Sequence, residues 1–257
     1  MATIYISSSL LWNCSLEEIF DWTYRSQLDG IELWAQQFFS REYRRNDYLR
    51  LTALYPLKSC VHSQSWDLNL ASLNEGIRRQ SVAEVKKSIE LADSLGLDEV
   101  TVHPGRHTLP GASEHSGDYL RESLKELLDY AGKLQIKISL EIMEKTPKEF
   151  ATSMEAMKQI CGSMFSSFCY TLDAAHCDST EEIFRTLKDY GSHISKIHVS
   201  NRKGNQLHTP LYRGDYDMRA LLPQLARFGL PLVIEGFDNW RELSAAAENL
   251  HFIQTIF

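Results

Sequence analysis

Short apolar runs and longer amphipathic segments alternate eight times along this chain, and that alternation leaves few folds open. The apolar runs are Thr3–Ser7, Gly30–Trp34, Cys60–His62, Val100–His103, Lys137–Ile142, Phe168–Leu172, Ile194–Val199 and Leu232–Ile234. Each has the length of a strand, and helix signals stand between them. The longest helix, predicted over Asn74–Leu95, sets Ile77, Val82, Val85 and Ile89 at a 3.6-residue period and stops at Gly96, a residue suited to the left-handed turn that ends helices. Gly117–Leu134 repeats the pattern with Leu120, Leu124, Leu127 and Leu128. Further helices are predicted over Ser40–Leu54, Pro147–Cys161, Thr180–Tyr190, Asp217–Phe228 and Trp240–Ile256, and Ser15 with Glu18 forms a capping box ahead of the first.

Unbroken strand–helix alternation predicts a parallel sheet with helical crossovers. Eight repeats in 257 residues favour an α/β fold of the closed (β/α)8 TIM barrel kind, which takes ~250 residues. An open doubly wound sheet would bring a glycine-rich phosphate loop after the first strand, where this chain has Ser7-Ser8-Ser9-Leu10-Leu11-Trp12. With no composition shift and no linker, residues 1–257 read as a single barrel domain.

The net charge of −7 argues against nucleic acid as a partner, because each phosphate contact asks for a cationic side chain. Five cysteines, an odd number without CxxC spacing, fit reduced thiols and a cytoplasmic setting. The opening Met1-Ala2-Thr3-Ile4-Tyr5-Ile6 reads as a strand rather than a signal peptide. No run approaches the ~18 apolar residues of a membrane span, so no membrane partner is expected. Oligomeric state is open, and a homo-oligomer is compatible with the sequence.

The chemistry collects at the strand ends. Going along the chain, six consecutive strands finish at or beside His62, His103, Glu141, Asp173, His198 and Glu235, and His176 follows Asp173 closely. In a (β/α)8 barrel these ends share one face, where the active sites of such enzymes lie. Carboxylates at the ends of apolar strands are costly unless paired or bound to metal. Glu141, Asp173 and Glu235 side by side would repel one another, and a divalent cation resolves that conflict. Two glutamates, one aspartate and one histidine form a mainly oxygen donor set, suited to one Mn²⁺, Mg²⁺ or Co²⁺, with Zn²⁺ also allowed. His62, His103, His176 and His208 are expected on the substrate side. Arg202, Lys203 and Arg213, after the seventh strand, are candidates for holding a substrate phosphate. Trp12, Trp34 and Trp66 follow the first three strands and could stack on a ligand.

These motifs resemble the xylose isomerase-like superfamily of barrels, which holds sugar and sugar-phosphate isomerases and epimerases and the type-IV apurinic endonucleases. The segment His62-Ser63-Gln64-Ser65-Trp66-Asp67-Leu68-Asn69-Leu70-Ala71-Ser72 is similar to the family's stretch after the third strand. Leu91-Ala92-Asp93-Ser94-Leu95-Gly96, leading to Val102-His103-Pro104-Gly105, is similar to its next helix and strand. The resemblance implies that Glu141, Asp173, His198 and Glu235 hold a single metal in the isomerase and epimerase branch. It further implies that Glu141 and Glu235 are catalytic, one removing a proton beside a carbonyl and the other returning it, and that His176 contacts a substrate oxygen. The implied substrate is a small carbohydrate.

In the endonuclease branch His62 and His103 would join Glu141 on a second metal, and His176 and His208 would help to hold a third. Three departures bear on the choice. Gln206-Leu207-His208 stands where the endonucleases have Asp-x-His, Asn201 stands where an aspartate is usual, and Tyr212 replaces the first glycine of a Gly-x-Gly element. The first of these, with the acidic balance, favours the sugar branch.

Overall fold

The computed structural model describes residues 2–109, 115–238 and 243–257. In chain order the strands are β1 (Ile4–Ser7), β2 (Gly30–Trp34), β3 (Lys58–His62), β4 (Glu99–Val102), β5 (Lys137–Glu141), β6 (Cys169–Asp173), β7 (Ile194–Val199), β8 (Asn201–Lys203), β9 (Gln206–Thr209) and β10 (Leu232–Ile234). Eight of them close a parallel barrel in the order β1-β10-β7-β6-β5-β4-β3-β2, and β8 with β9 forms a separate two-stranded sheet. Closure is made by β10 against β1, with Tyr5 in register with Val233. The fold is thus the (β/α)8 barrel that the alternation predicts.

The helices are α1 (Leu16–Arg25), α2 (Ala35–Ser40), α3 (Arg45–Leu54), α4 (Glu75–Leu95), α5 (Ser116–Lys133), α6 (Met154–Cys161), α7 (Thr180–Tyr190), α8 (Met218–Ala226) and α9 (Ser244–Gln254). Their ends follow the local chemistry. Ser15 accepts from the Glu18 N–H at 3.2 Å while the Glu18 carboxylate accepts from the Ser15 N–H at 2.6 Å, so the capping box forms. Asn74 caps α4, and Gly96 closes it at φ 72 in the left-handed region.

Three helices differ from their sequence expectation. The one expected over Ser40–Leu54 begins only at Arg45, and a separate helix over Ala35–Ser40 precedes it, with Glu42 at φ 55 between the two. The one expected from Pro147 begins only at Met154, because Ser153 supplies the cap by accepting from Ala156 N at 3.1 Å. That leaves residues 142–152 as a loop over the barrel mouth. Trp240, the expected start of the last helix, lies outside the described residues, and α9 starts at Ser244. No helix among the described residues is long and apolar enough to cross a membrane.

Side chains alternate across each strand. One set, including Ile4, Ile6, Ile31, Leu33, Val61, Val100, Val102, Ile138, Leu140, Leu172, Ile197 and Ile234, joins the helices in the main apolar core. The other set faces the barrel interior, where, among the described residues, Tyr5, Cys60 and Val233 form a small apolar cluster. The rest of that interior is polar. Ser139 bonds Thr171 at 2.8 Å and Ser195 at 2.9 Å, and Thr101 bonds Glu32 at 2.7 Å. A two-residue period therefore delivers a polar side chain to the inner face at the top of strand after strand.

Candidate metal centre at the barrel mouth

β5, β6, β7 and β10 bring Glu141, Asp173, His198 and Glu235 together, with one donor atom from each lying within 4.8 Å of the others. His198 Nδ1 is 2.9 Å from Glu235 Oε2 and 3.7 Å from Glu141 Oε2. The donor atoms Glu141 Oε2, Asp173 Oδ2, His198 Nδ1 and Glu235 Oε2 are all buried without a hydrogen-bond partner. Buried polar atoms are nearly always paired. Four orphans pointing at one place, three of them on carboxylates, fit a divalent cation, and their mainly oxygen character suits Mn²⁺, Mg²⁺ or Co²⁺ while allowing Zn²⁺.

The remaining histidines surround this set. His62 Nε2 and His103 Nε2 approach Glu141 Oε2 at 3.5 and 3.2 Å, and the three residues form a second possible donor group. Asp173, His176 and His208 form a third. His176 turns Nδ1 to the Ile142 carbonyl at 2.8 Å, which leaves Nε2 facing His208 Nε2 at 3.4 Å. His208 reaches the site from the β8–β9 hairpin, at φ 52, with Ser200 bonding its Nδ1 at 3.1 Å. The sequence reading took this hairpin for part of a loop.

Electrostatics within the cluster are those of acids short of counter-charge. Burial works against ionising Glu141, yet His103 and His198 hold it well below the usual carboxylate range. Burial likewise opposes charge on His198, but Glu235, Glu32 and Glu141 outweigh it and raise the imidazole well above its ordinary value. Burial pushes Asp173 up to about 6, with His176 and His208 pulling against it and Glu235 adding to it.

A cavity of about 720 Å³ opens above the donors. Glu141 and Glu235 line it, as do His103, His176 and His208, whereas Asp173, His198 and His62 lie beneath its floor. One wall is aromatic: Trp66 stands 4.8 Å from Trp12 and 5.7 Å from Phe237, ring centre to ring centre. Trp34 also lines the cavity and stacks on His62 at 4.2 Å, whereas Trp12 lies outside the lining in contact with Trp66. Arg106, Glu144 and Glu149 also line the cavity. Burial, reinforced by Glu144, pushes the Glu149 carboxyl up to about 7, with His103 and Arg106 pulling it down.

Arg202, Lys203 and Arg213 do not line the cavity among the described residues. The Arg202 guanidinium is engaged by Asp178 at 3.3 Å and by the Gly204 carbonyl at 3.2 Å, and Arg213 is exposed.

Four acids near the site escaped the sequence reading. Glu144 and Glu149 sit in the segment expected to be helical. Glu32 is fully buried in the barrel interior, and Glu99 pairs there with Lys196. The signal for Glu32 was available: in Gly30-Ile31-Glu32-Leu33-Trp34 the two-residue period puts Glu32 on the face opposite Ile31 and Leu33.

Comparison with known proteins agrees with this architecture. The chain is 28% identical over 235 residues to the uncharacterized protein MJ1188 of Methanocaldococcus jannaschii, a match covering 89% of this chain and 86% of that protein. It is 23% identical over 149 residues to the probable endonuclease 4 of Acholeplasma laidlawii, covering 53% of this chain and 50% of that one. A crystal structure of a D-tagatose 3-epimerase-like protein superposes with a TM-score of 0.81 at 22% identity, covering 100% of this chain and 98% of the other. The family model for the xylose isomerase-like TIM barrel matches residues 20–256, and the chain belongs to that family.

Proposed function

We propose that the protein is a divalent-metal-dependent isomerase or epimerase of a small sugar or sugar phosphate, moving a proton at a carbon next to a carbonyl. The observation that carries this reading is the split among the four donors. Asp173 and His198 are sealed beneath the floor, while Glu141 and Glu235 each turn Oε2 into the donor set and also line the cavity. Glu141 on β5 and Glu235 on β10 are separated around the barrel by β6 and β7. They can therefore address one substrate carbon from different sides. Glu141, Asp173, His198 and Glu235 would hold a divalent cation, which would supply Lewis acidity for the substrate oxygen that gains negative charge.

The chain's own groups do the rest. One glutamate takes the proton from carbon, and the other returns a proton from its own side; a 1,1-shift inverts the centre, and a 1,2-shift moves the carbonyl. His176 Nε2 faces the cavity and can bond a substrate oxygen, its ring fixed by the Ile142 carbonyl. Trp34, Trp66 and Phe237 line the cavity and offer an aromatic face for the sugar, with Trp12 packed against Trp66 and Phe237. The similarity to a D-tagatose 3-epimerase-like protein supports the substrate class. Five free cysteines accord with the cytoplasmic expectation.

Metal analysis followed by incubation with a panel of ketoses in ²H₂O tests the proposal. The expected result is solvent deuterium at carbon, lost on chelation and in Glu141→Gln and Glu235→Gln. Absence of exchange with every ketose would remove the reading.

A second reading, a metal-dependent phosphodiesterase acting on abasic DNA, is favoured by the second and third donor groups, at His62, His103 and Glu141 and at Asp173, His176 and His208. Against it stand Gln206 in place of the aspartate and a cavity wall that carries Glu144 and Glu149. Nicking of an abasic duplex, with three ions per chain, would decide for it.

A further inference from the structure

Glu32 is a buried acid outside the proposed donor set. It sits in the middle of β2 with no exposure, inside the barrel and below the donor set. Its Oε1 accepts from Thr101 Oγ1 at 2.7 Å and lies 4.0 Å from Lys196 Nζ. Lys196 is itself buried and pairs with Glu99 on β4, and Ser195 Oγ donates to Glu99 Oε1 at 3.0 Å. The other carboxylate oxygen, Oε2, lies 2.8 Å from His198 Nε2. None of Glu32, Lys196, Glu99 or Thr101 lines the cavity.

A buried ion pair is a poor stabiliser, because desolvation of both charges consumes most of the Coulomb gain, and an apolar pair of like volume commonly does as well. The file Glu99–Lys196–Glu32 is therefore an expensive way to fill a barrel, and its upper end touches one group, the far nitrogen of His198. A carboxylate can only accept. Nε2 must then carry a hydrogen. Nδ1 stands in the same relation to Glu235, at 2.9 Å, so the metal-free ring carries hydrogen on both nitrogens; a cation in the donor set would replace the one on Nδ1, while Glu32 faces the one on Nε2.

We propose that Glu32, held by Thr101 and Lys196, is the positioning residue that fixes the orientation and tautomer of His198 and thereby sets the affinity of the site for its cation. The inference rests on the reading that Glu141, Asp173, His198 and Glu235 hold a divalent ion. Outer carboxylates that orient a ligating imidazole act in this way, and their loss weakens metal binding by about ten- to a hundredfold.

The test is Mn²⁺ titration of the full chain, with free Mn²⁺ read by electron paramagnetic resonance, on the parent, Glu32→Gln, Glu32→Asp, Lys196→Met and the double variant Glu32→Gln/Lys196→Met. The double variant removes Glu32 and Lys196 together and leaves only Glu99, which is 16% exposed and still bonded by Ser195, so it decides the matter if either single variant does not fold. Glu32→Gln and the double variant should bind Mn²⁺ about ten- to a hundredfold more weakly than the parent, with circular dichroism unchanged, and Glu32→Asp should recover part of the loss. Nitrogen-15 correlation spectra of the Zn²⁺-loaded parent should report hydrogen on Nε2 of His198, and the metal-free glutamine variants should show both neutral tautomers where the metal-free parent keeps hydrogen on Nε2. If the parent binds Mn²⁺ and the double variant matches it within about threefold, far short of what loss of such a partner costs, Glu32 has no positioning role while the cation reading stands. If the parent binds none of Mn²⁺, Co²⁺ or Zn²⁺, both fail together.

Discussion

Asp173→Asn should strengthen the metal-free fold and weaken the metal-loaded one, an inversion that few site variants produce. Asp173 Oδ1 already accepts from the backbone of Ala175 at 2.6 Å and of His176 at 3.3 Å, and asparagine keeps both bonds. Its Oδ2 is buried without a partner in a set that includes the Glu235 carboxylate. An amide nitrogen there donates where a carboxylate repels. The carboxyl of Asp173 is pushed from 3.8 to about 6, chiefly by burial. At ~1.4 kcal/mol per pKa unit, a rise of roughly two units bounds the cost of the charge near 3 kcal/mol, and we take about 2 kcal/mol as the working figure.

The sign follows from which state holds the proton. Well below pH 3.8 Asp173 is protonated in both the folded and the unfolded chain, and acid and amide are equivalent. As pH rises through about 6 the parent must ionise a buried group and loses that stability, while the asparagine variant does not. At pH 8 the metal-free variant should melt about 4–8 °C above the parent. With Mn²⁺ at ~100 times its dissociation constant the parent gains about 2.7 kcal/mol, or roughly 5–10 °C, and the variant, lacking a carboxylate ligand, gains little. Thermal melts at pH 4, 6 and 8, in chelator and in Mn²⁺, read all of this at once. A metal-free Asp173→Asn protein that melts below the parent at pH 8, or an unchanged Mn²⁺ shift, would refute the reasoning.

Further outcomes follow from the same geometry. Mn²⁺ affinity should fall about tenfold per pH unit below about 6, where protons compete for Asp173, and calorimetry giving a flat affinity from pH 5 to 8 would exclude that competition. Glu235→Gln should lower turnover by about 10²–10⁴-fold, and steady-state kinetics within tenfold of the parent would deny it a proton-transfer role. Gly105→Ala should cost about 2–3 kcal/mol, since φ 120 suits glycine and a Cβ would meet Ala71 N at 2.8 Å; an unaltered melting temperature contradicts this. Trp66→Ala, at a residue 43% exposed, should leave the melting temperature nearly unchanged and raise KM severalfold, and an unmoved KM would take the aromatic wall out of substrate binding.

The barrel was legible because each strand and helix announces itself locally, by apolar runs of strand length and by caps such as Ser15 and Gly96. The donor set was legible for a related reason: strand ends fall on a common rim once the barrel is assumed, so residues as far apart as Glu141 and Glu235 need only end their strands to meet. What escaped depends on partners remote in sequence. The loop carrying Glu144 and Glu149 has helix-compatible composition, and only the capping of α6 by Ser153 frees it to cover the mouth. The period of β2 already turns Glu32 inward, but its partner Lys196 is recognisable only when the facing strands are in place. The β8–β9 hairpin is too short for a periodic signal, and it is this hairpin that carries His208 into the site.

Because the donors are dealt out one per strand around the ring, no contiguous fragment owns a binding site. A nascent chain that has emerged through β7 carries Glu141, Asp173 and His198 but neither Glu235 nor the strand that seals the barrel against β1. Cation capture would then coincide with the last strand locking into place, so uptake kinetics during refolding would serve as a clock for ring closure rather than for the earlier appearance of helices.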